Sequence, residues 1–128
     1  GLSAASQIVK DNGEILCLSE CSDGIPSHGK FYSLLSEFSD PEQVEGMLSD
    51  PNFHCQDQWQ VQILSQIAKK SNINLYTEGL SDKEIKNAFM FNAPDPQRFI
   101  DQKVKENTNI RGCVLPEGPI TIPVLKNN

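Results

Sequence analysis

Apolar residues recur along this chain with two different periods, and the switches between them lay out its elements. Over residues 57–70, DQWQVQILSQIAKK, Trp59, Ile63 and Ile67 fall four apart while Val61, Leu64 and Ala68 widen the same stripe, which predicts a helix with one face toward a core. Asp57 stands as its cap with Gln60 three residues on, Lys69 and Lys70 suit the negative end of the helix dipole, and Ser71-Asn72 marks the stop. Leu2, Ala5 and Val9 give a first helix, closed by Lys10-Asp11-Asn12-Gly13 with a left-handed cap; a helix already running at residue 2 suggests a segment of a longer chain. Phe31, Leu34, Leu35 and Phe38 predict a short helix. Ser39-Asp40-Pro41-Glu42 opens another, which buries Val44, Met47 and Leu48 and ends at Asp50-Pro51-Asn52. Ser81-Asp82-Lys83-Glu84 reads as a capping box for a helix through Ile85, Ala88 and Phe89, and Pro96–Glu106 predicts one more with Phe99, Ile100 and Val104 inward.

The runs without helical spacing are short. Glu14–Cys21 holds Ile15, Leu16, Cys17 and Leu18 in a row, as a strand buried on both faces would, and Ile73–Glu78, INLYTE, alternates apolar with polar. Gly112–Leu115 is expected as a third strand, closed by Pro116-Glu117-Gly118-Pro119, and residues 120–124 as an extended piece kept to an edge by Pro123. Asn92–Pro96, with two prolines, reads as an interruption. Strands alternating with helices make an α/β domain: a small parallel sheet of three to four strands flanked by helices, Rossmann-like and three-layered, over residues 1–128 as a single domain. Ligands of such sheets lie beyond the carboxyl ends of the strands. Loops 19–25, 77–80 and 116–119 are therefore expected to converge.

Composition narrows the function. A chain of 128 residues, 38% hydrophobic, supports one ordinary core. A formal net charge of −6 leaves no basic patch for a nucleic acid or an anionic membrane. No apolar run approaches the roughly 20 residues that span a bilayer, and no signal pattern opens the chain, so a soluble, cytoplasmic protein is expected. Cys17, Cys21, Cys55 and Cys113 read as reduced thiols: on one strand Cys17 and Cys21 would lie about 13 Å apart, and no Cys-x-x-Cys zinc spacing is present.

The polar segment 19–30, SECSDGIPSHGK, sets Glu20, Asp23 and His28 among Gly24, Pro26 and Gly29, either as a solvated connection or as a ligand loop. There is no Gly-x-Gly-x-x-Gly or phosphate loop, and His28 and His54 are the only imidazoles. Ser22 or Ser27 near His28 lacks the Gly-x-Ser-x-Gly turn of a hydrolase, and Glu20 with Asp23 is more commonly a turn than an acid–base pair. Pattern alone leaves Trp59 open between core and site. It supplies no complete catalytic apparatus.

Three pieces taken in order, SECSDGIPSHGKFYSLL, DQWQVQILSQIAKK and VLPEGPITIP, resemble the C-terminal domain of the nickel-dependent lactate racemase family, and the resemblance covers nearly the whole chain. It implies one domain of a two-domain polypeptide whose cleft holds a nickel-pincer nucleotide, a thiolated pyridinium mononucleotide. The implied reaction is reversible hydride transfer that interconverts D- and L-lactate or another small 2-hydroxy acid, with a histidine taking the hydroxyl proton. The catalytic histidines, the nickel ligand and the tethering lysine are implied to lie in the N-terminal domain, the partner within the same polypeptide. On that basis this chain carries no catalytic or metal-ligating residue, holds no cofactor by itself and is inactive alone. Trp59 is implied to line the cleft and exclude water, with its indole N–H as a donor, and Gln58, Asp23, Gly24 and His28 to make cleft or interdomain contacts, His28 not as a base. A reading without catalysis stands beside it: a free-standing α/β module that binds a small acid or a partner protein through the same loops.

Overall fold

Helix α4, Gln58–Lys70, ends on the residue before strand β2, Ser71–Tyr76, begins, and this tight return fixes the helix antiparallel to the sheet. Ser71 makes the junction: its hydroxyl donates to the Ile67 carbonyl at 3.0 Å while its backbone is already extended. The computed structural model describes residues 1–124. Within them the chain runs α1 (Leu2–Ile8), β1 (Gly13–Leu18), α2 (Phe31–Glu37), α3 (Pro41–Leu48), α4, β2, α5 (Asp82–Asn87), β3 (Phe91–Asn92) and α6 (Pro96–Glu106), with a 3-10 turn at Gly118–Ile120. The sheet is parallel in the order β1-β2-β3, so the expected α/β architecture stands.

Most capping signals act as the sequence suggests. Asp40 accepts from the Glu42 N–H with Pro41 behind it, and Ser81 and Glu84 form a reciprocal capping box; Asp95, which sequence pattern did not single out, also caps α6 by accepting from the Arg98 N–H. Between α1 and β1 the chain turns through Asn12 at φ 58°, and Gly13 is small because a Cβ there would press on Val9 and the Lys10 carbonyl.

Residues paired across parallel strands share a face, so the register Glu14↔Asn72, Leu16↔Asn74 and Leu18↔Tyr76 puts these six on one side of the sheet. The opposite side carries Ile15 and Ile73 into the core, with Leu34 and Leu35 of α2, Val44 of α3, and Val61, Leu64 and Ile67 of α4. The core is thus one-sided. The Glu14 side is crossed by α6, whose Lys103 ammonium reaches the Glu14 carboxylate at 2.8 Å while Asn74 donates to the other Glu14 oxygen at 2.8 Å. Burial alone would lift the Glu14 pKa, but the hydrogen bonds from Lys103 and Asn74 and the lysine charge outweigh it and hold the carboxyl below its usual value. Lys103 is raised in turn, chiefly by its hydrogen bond to Glu14.

Several expectations need correction. Residues 112–115 form no strand, because nothing in the described chain pairs with them; the third strand is Phe91–Asn92, joined to β2 at the place where two prolines suggest only an interruption. Ala93 extends that pairing by donating to the Leu75 carbonyl at 2.9 Å before Pro94 ends it. Strand β1 stops at Leu18, so Cys21 lies beyond it at φ 50°, and the strand-length argument against a Cys17–Cys21 bridge does not apply. All four thiols are free even so. Residues 120–124 are not strand; Ile120 closes the 3-10 turn. Phe99, Ile100 and Val104 of α6 are not core, since α6 buries no residue, and Ile63 of α4 is exposed as well. Among the described residues no helix is long and apolar enough to cross a membrane.

Candidate functional site

A helix of 13 residues and a strand of 6 are each about 20 Å long, so α4, running antiparallel to β2, sets its first turn level with the carboxyl ends of the strands. Trp59 sits in that turn and is 59% exposed. It is not a core residue. The buried stripe of α4 is Val61, Leu64, Ser65 and Ile67, rotated away from the Trp59–Ile63 edge.

The start of α4 departs from its expected cap. Asp57 occupies the cap position in the left-handed region, φ 67°, with no side-chain bond to its own helix; instead its carboxylate accepts from the Lys30 N–H at 2.9 Å. Gly29, at φ 81°, makes this approach possible, because a Cβ there would run into the Asp57 carboxylate. Asp57 is therefore a latch between loop 19–30 and α4. It ties the backbone beside His28 to the turn that presents Trp59. The Gln58 side chain reaches back instead, its Oε1 accepting from the Cys55 N–H at 2.7 Å ahead of the helix, which leaves its NH2 group for other partners.

The other half of the loop is tied elsewhere. Gly79 N–H and Thr77 Oγ1–H both donate to the Glu20 carbonyl, at 3.0 and 2.8 Å, clamping the loops after β1 and β2 together. Gly79 must be glycine for that approach, since a Cβ would overlap the Cys21 carbonyl. Asp23 lies in a turn closed by Gly24 N–H on the Cys21 carbonyl at 2.8 Å, with Gly24 at φ 66°. Loops 19–25 and 77–80 converge as expected. Loop 116–119 does not join them: Gly118 abuts Gly1 at the start of α1, and the segment that follows the third strand is Ala93–Asp95.

The structure thus groups the candidates in two. Gln58, Trp59 and the loop carrying His28 are brought together by Asp57, whereas Asp23 and Gly24 belong to the clamp over β1 and β2. Sequence pattern missed Asp57 as a latch, and the one signal that could have found it is Gly29 just before α2, whose N-cap Lys30 supplies the N–H that Asp57 accepts. Glu20, Asp23, Asp57 and Glu78 outnumber Lys30 and the two imidazoles on these loops, so an anion finds little charge compensation here. Among the described residues no group of three or more His, Cys, Asp and Glu side chains could hold a metal ion. Two shallow depressions of about 390 Å³ lie elsewhere, one on α6 and one between α1 and α4. What this end of the sheet offers is a wall, with an exposed indole on it.

Comparison with known proteins gives that wall a setting. A family model described as the lactate racemase C-terminal domain matches residues 1–122. The lactate racemase of Thermoanaerobacterium thermosaccharolyticum is 29% identical over 123 residues, which is 92% of this chain and 28% of that protein. The solved structure of the lactate racemase apoprotein from the same organism superimposes with a TM-score of 0.70 and 27% identity, covering 84% of this chain and 26% of that one. The chain spans between a quarter and a third of the length of these relatives.

Proposed function

The chain belongs to the lactate racemase C-terminal domain family, and from that premise we propose that it is the cleft-lining domain of a larger, cytoplasmic racemase-type isomerase that interconverts D- and L-lactate or another 2-hydroxy acid. The observation that carries the reading is Trp59, held exposed at the carboxyl end of a parallel sheet, where α/β domains meet their ligands. A nickel-pincer nucleotide, when bound, would supply the hydride acceptor. An indole face and a free primary amide fit beside such a planar ring; they do not fit as nickel ligands. Trp59 excludes water from the reacting groups and offers one N–H donor. The Gln58 amide offers two more hydrogens beside it, with its oxygen already fixed on Cys55. The excess of carboxylates on loops 19–30 and 77–80 disfavours anions at this wall, which supports a reading in which the substrate carboxylate and the nucleotide phosphate are held by the N-terminal domain of the same polypeptide.

The test is Trp59→Phe in the full-length enzyme loaded with its cofactor. Racemisation falls by at least about tenfold, because a smaller ring without the N–H admits water and loses a donor, while the melting temperature stays within a degree or so. Unchanged turnover would remove Trp59 from the cleft. Absence of any 2-hydroxy-acid racemisation by the loaded wild type would remove the racemase reading itself.

A further inference from the structure

Exposed apolar side chains are concentrated in one part of this chain. Of the thirteen large hydrophobic residues that stand exposed among the described residues, eight lie between residues 91 and 124. Helix α6 buries nothing, and the segment after it leaves Val114 84% exposed. From Gly118 onward the order is unusual. Gly118 rests against Gly1, and Thr121 turns inward with its hydroxyl donating to the Glu117 carbonyl at 2.8 Å. Ile120, Ile122 and Val124 all point out, alternating with half-buried Thr121 and Pro123, so the arm carries its apolar side toward solvent at 76 to 84% exposure.

A soluble chain does not present three β-branched residues in a row of alternate positions without something to cover them. We infer that residues 110–124 are the docking arm by which this domain packs on the remainder of its own racemase polypeptide, an inference that rests on the family reading above. Two observations name that occupant. The family match runs through residue 122, so the arm is part of the family's domain rather than an appended tail. Known relatives are between three and four times the length of this chain, which supplies an additional body of polypeptide in every molecule at high effective concentration.

Hydrogen exchange read by mass spectrometry tests this, on the full-length polypeptide and on residues 1–128 alone. Peptides within 110–124 exchange about tenfold or more slowly in the full-length protein, while β1 peptides exchange alike in both. The variant Ile120→Asp/Ile122→Asp, which changes only exposed side chains, returns the arm to its fast rate and leaves β1 protected. Equal arm rates in the two proteins overturn the inference. So does protection of the arm in residues 1–128 alone that grows with concentration, since the occupant is then a second copy. Racemase assays on the same full-length sample separate the two claims: slow arm exchange without activity supports the docking arm and removes the racemase reading, and activity with equal exchange rates does the reverse.

Discussion

Helices α4 and α6 look alike in the sequence and end in opposite situations. Each has an acidic residue at its start, lysines in its last turn and an apolar stripe at helical spacing. Yet α4 buries Val61, Leu64, Ser65 and Ile67, whereas α6 buries nothing and leaves Ile100 and Val104 nearly half exposed. The difference lies in what each stripe meets. Against α4 stand Ile15 and Ile73 of the sheet with Leu34, Leu35 and Val44 beside them; against α6 stand Glu14 and Asn74, and the attachment is an ion pair. A stripe states which side of a helix favours burial. It does not state whether the same chain provides the other layer.

The largest effect separates the two helices directly. Ile67→Ala leaves a cavity between α4 and the sheet and costs about 3 kcal/mol, seen as a lower urea midpoint with unchanged slope. Ile100→Ala on α6 costs less than about 0.5 kcal/mol in the same chain, because its side chain is already half in water. Comparable losses at both positions would mean that α6 is part of the core, and the contrast would fail.

A smaller effect is expected at the clamp between the strand-end loops. Gly79→Ala drives a Cβ into the Cys21 carbonyl, so the two loops must part, at about 2 kcal/mol. The Trp59 emission spectrum should hardly move, because the latch from Asp57 to Lys30 holds the other half of the loop independently. A spectral shift as large as that on unfolding would show that clamp and latch are one unit.

Local signals were the legible part. Caps at Asp40 and Ser81 depend on residues within one turn, and β1, β2 and their parallel pairing follow from short apolar runs separated by helices. What escaped the sequence depends on partners far along the chain. Phe91–Asn92 is too short to announce a strand and stands before two prolines, while Gly112–Leu115 has the composition of a strand and no neighbour to pair with. Asp57 has everything a cap needs, but Lys30, distant in sequence, takes its carboxylate. At the site, family likeness pointed to Trp59, and only the geometry of α4 against β2 removed it from the core. That Asp23 and His28 sit in separately anchored halves of one loop had no sequence signal at all.

The smallest effect sharpens the contrast from the side of α6, whose attachment should depend on pH where that of α4 does not. The Glu14 pKa is lowered in the folded chain, so its contribution is present above the unfolded value of about 4.3 and is lost as pH falls through the lower folded value. Lys103 is raised, so its contribution is present below an unfolded value of about 10.4 and is lost as pH rises through the higher folded one. Between about pH 5 and 10 the pair is intact. Glu14→Gln therefore costs about 0.5–1 kcal/mol at pH 7, and the cost shrinks as pH falls below the unfolded value and through the lower folded one. Amide exchange should show the loss on α6, with α4 unchanged, and high salt should reproduce part of it by screening. If α6 in the wild type stays equally protected at pH 7 and at a pH acid enough to neutralise Glu14, the ion pair is not what holds it, and its half-exposed stripe must be contributing more than its burial allows.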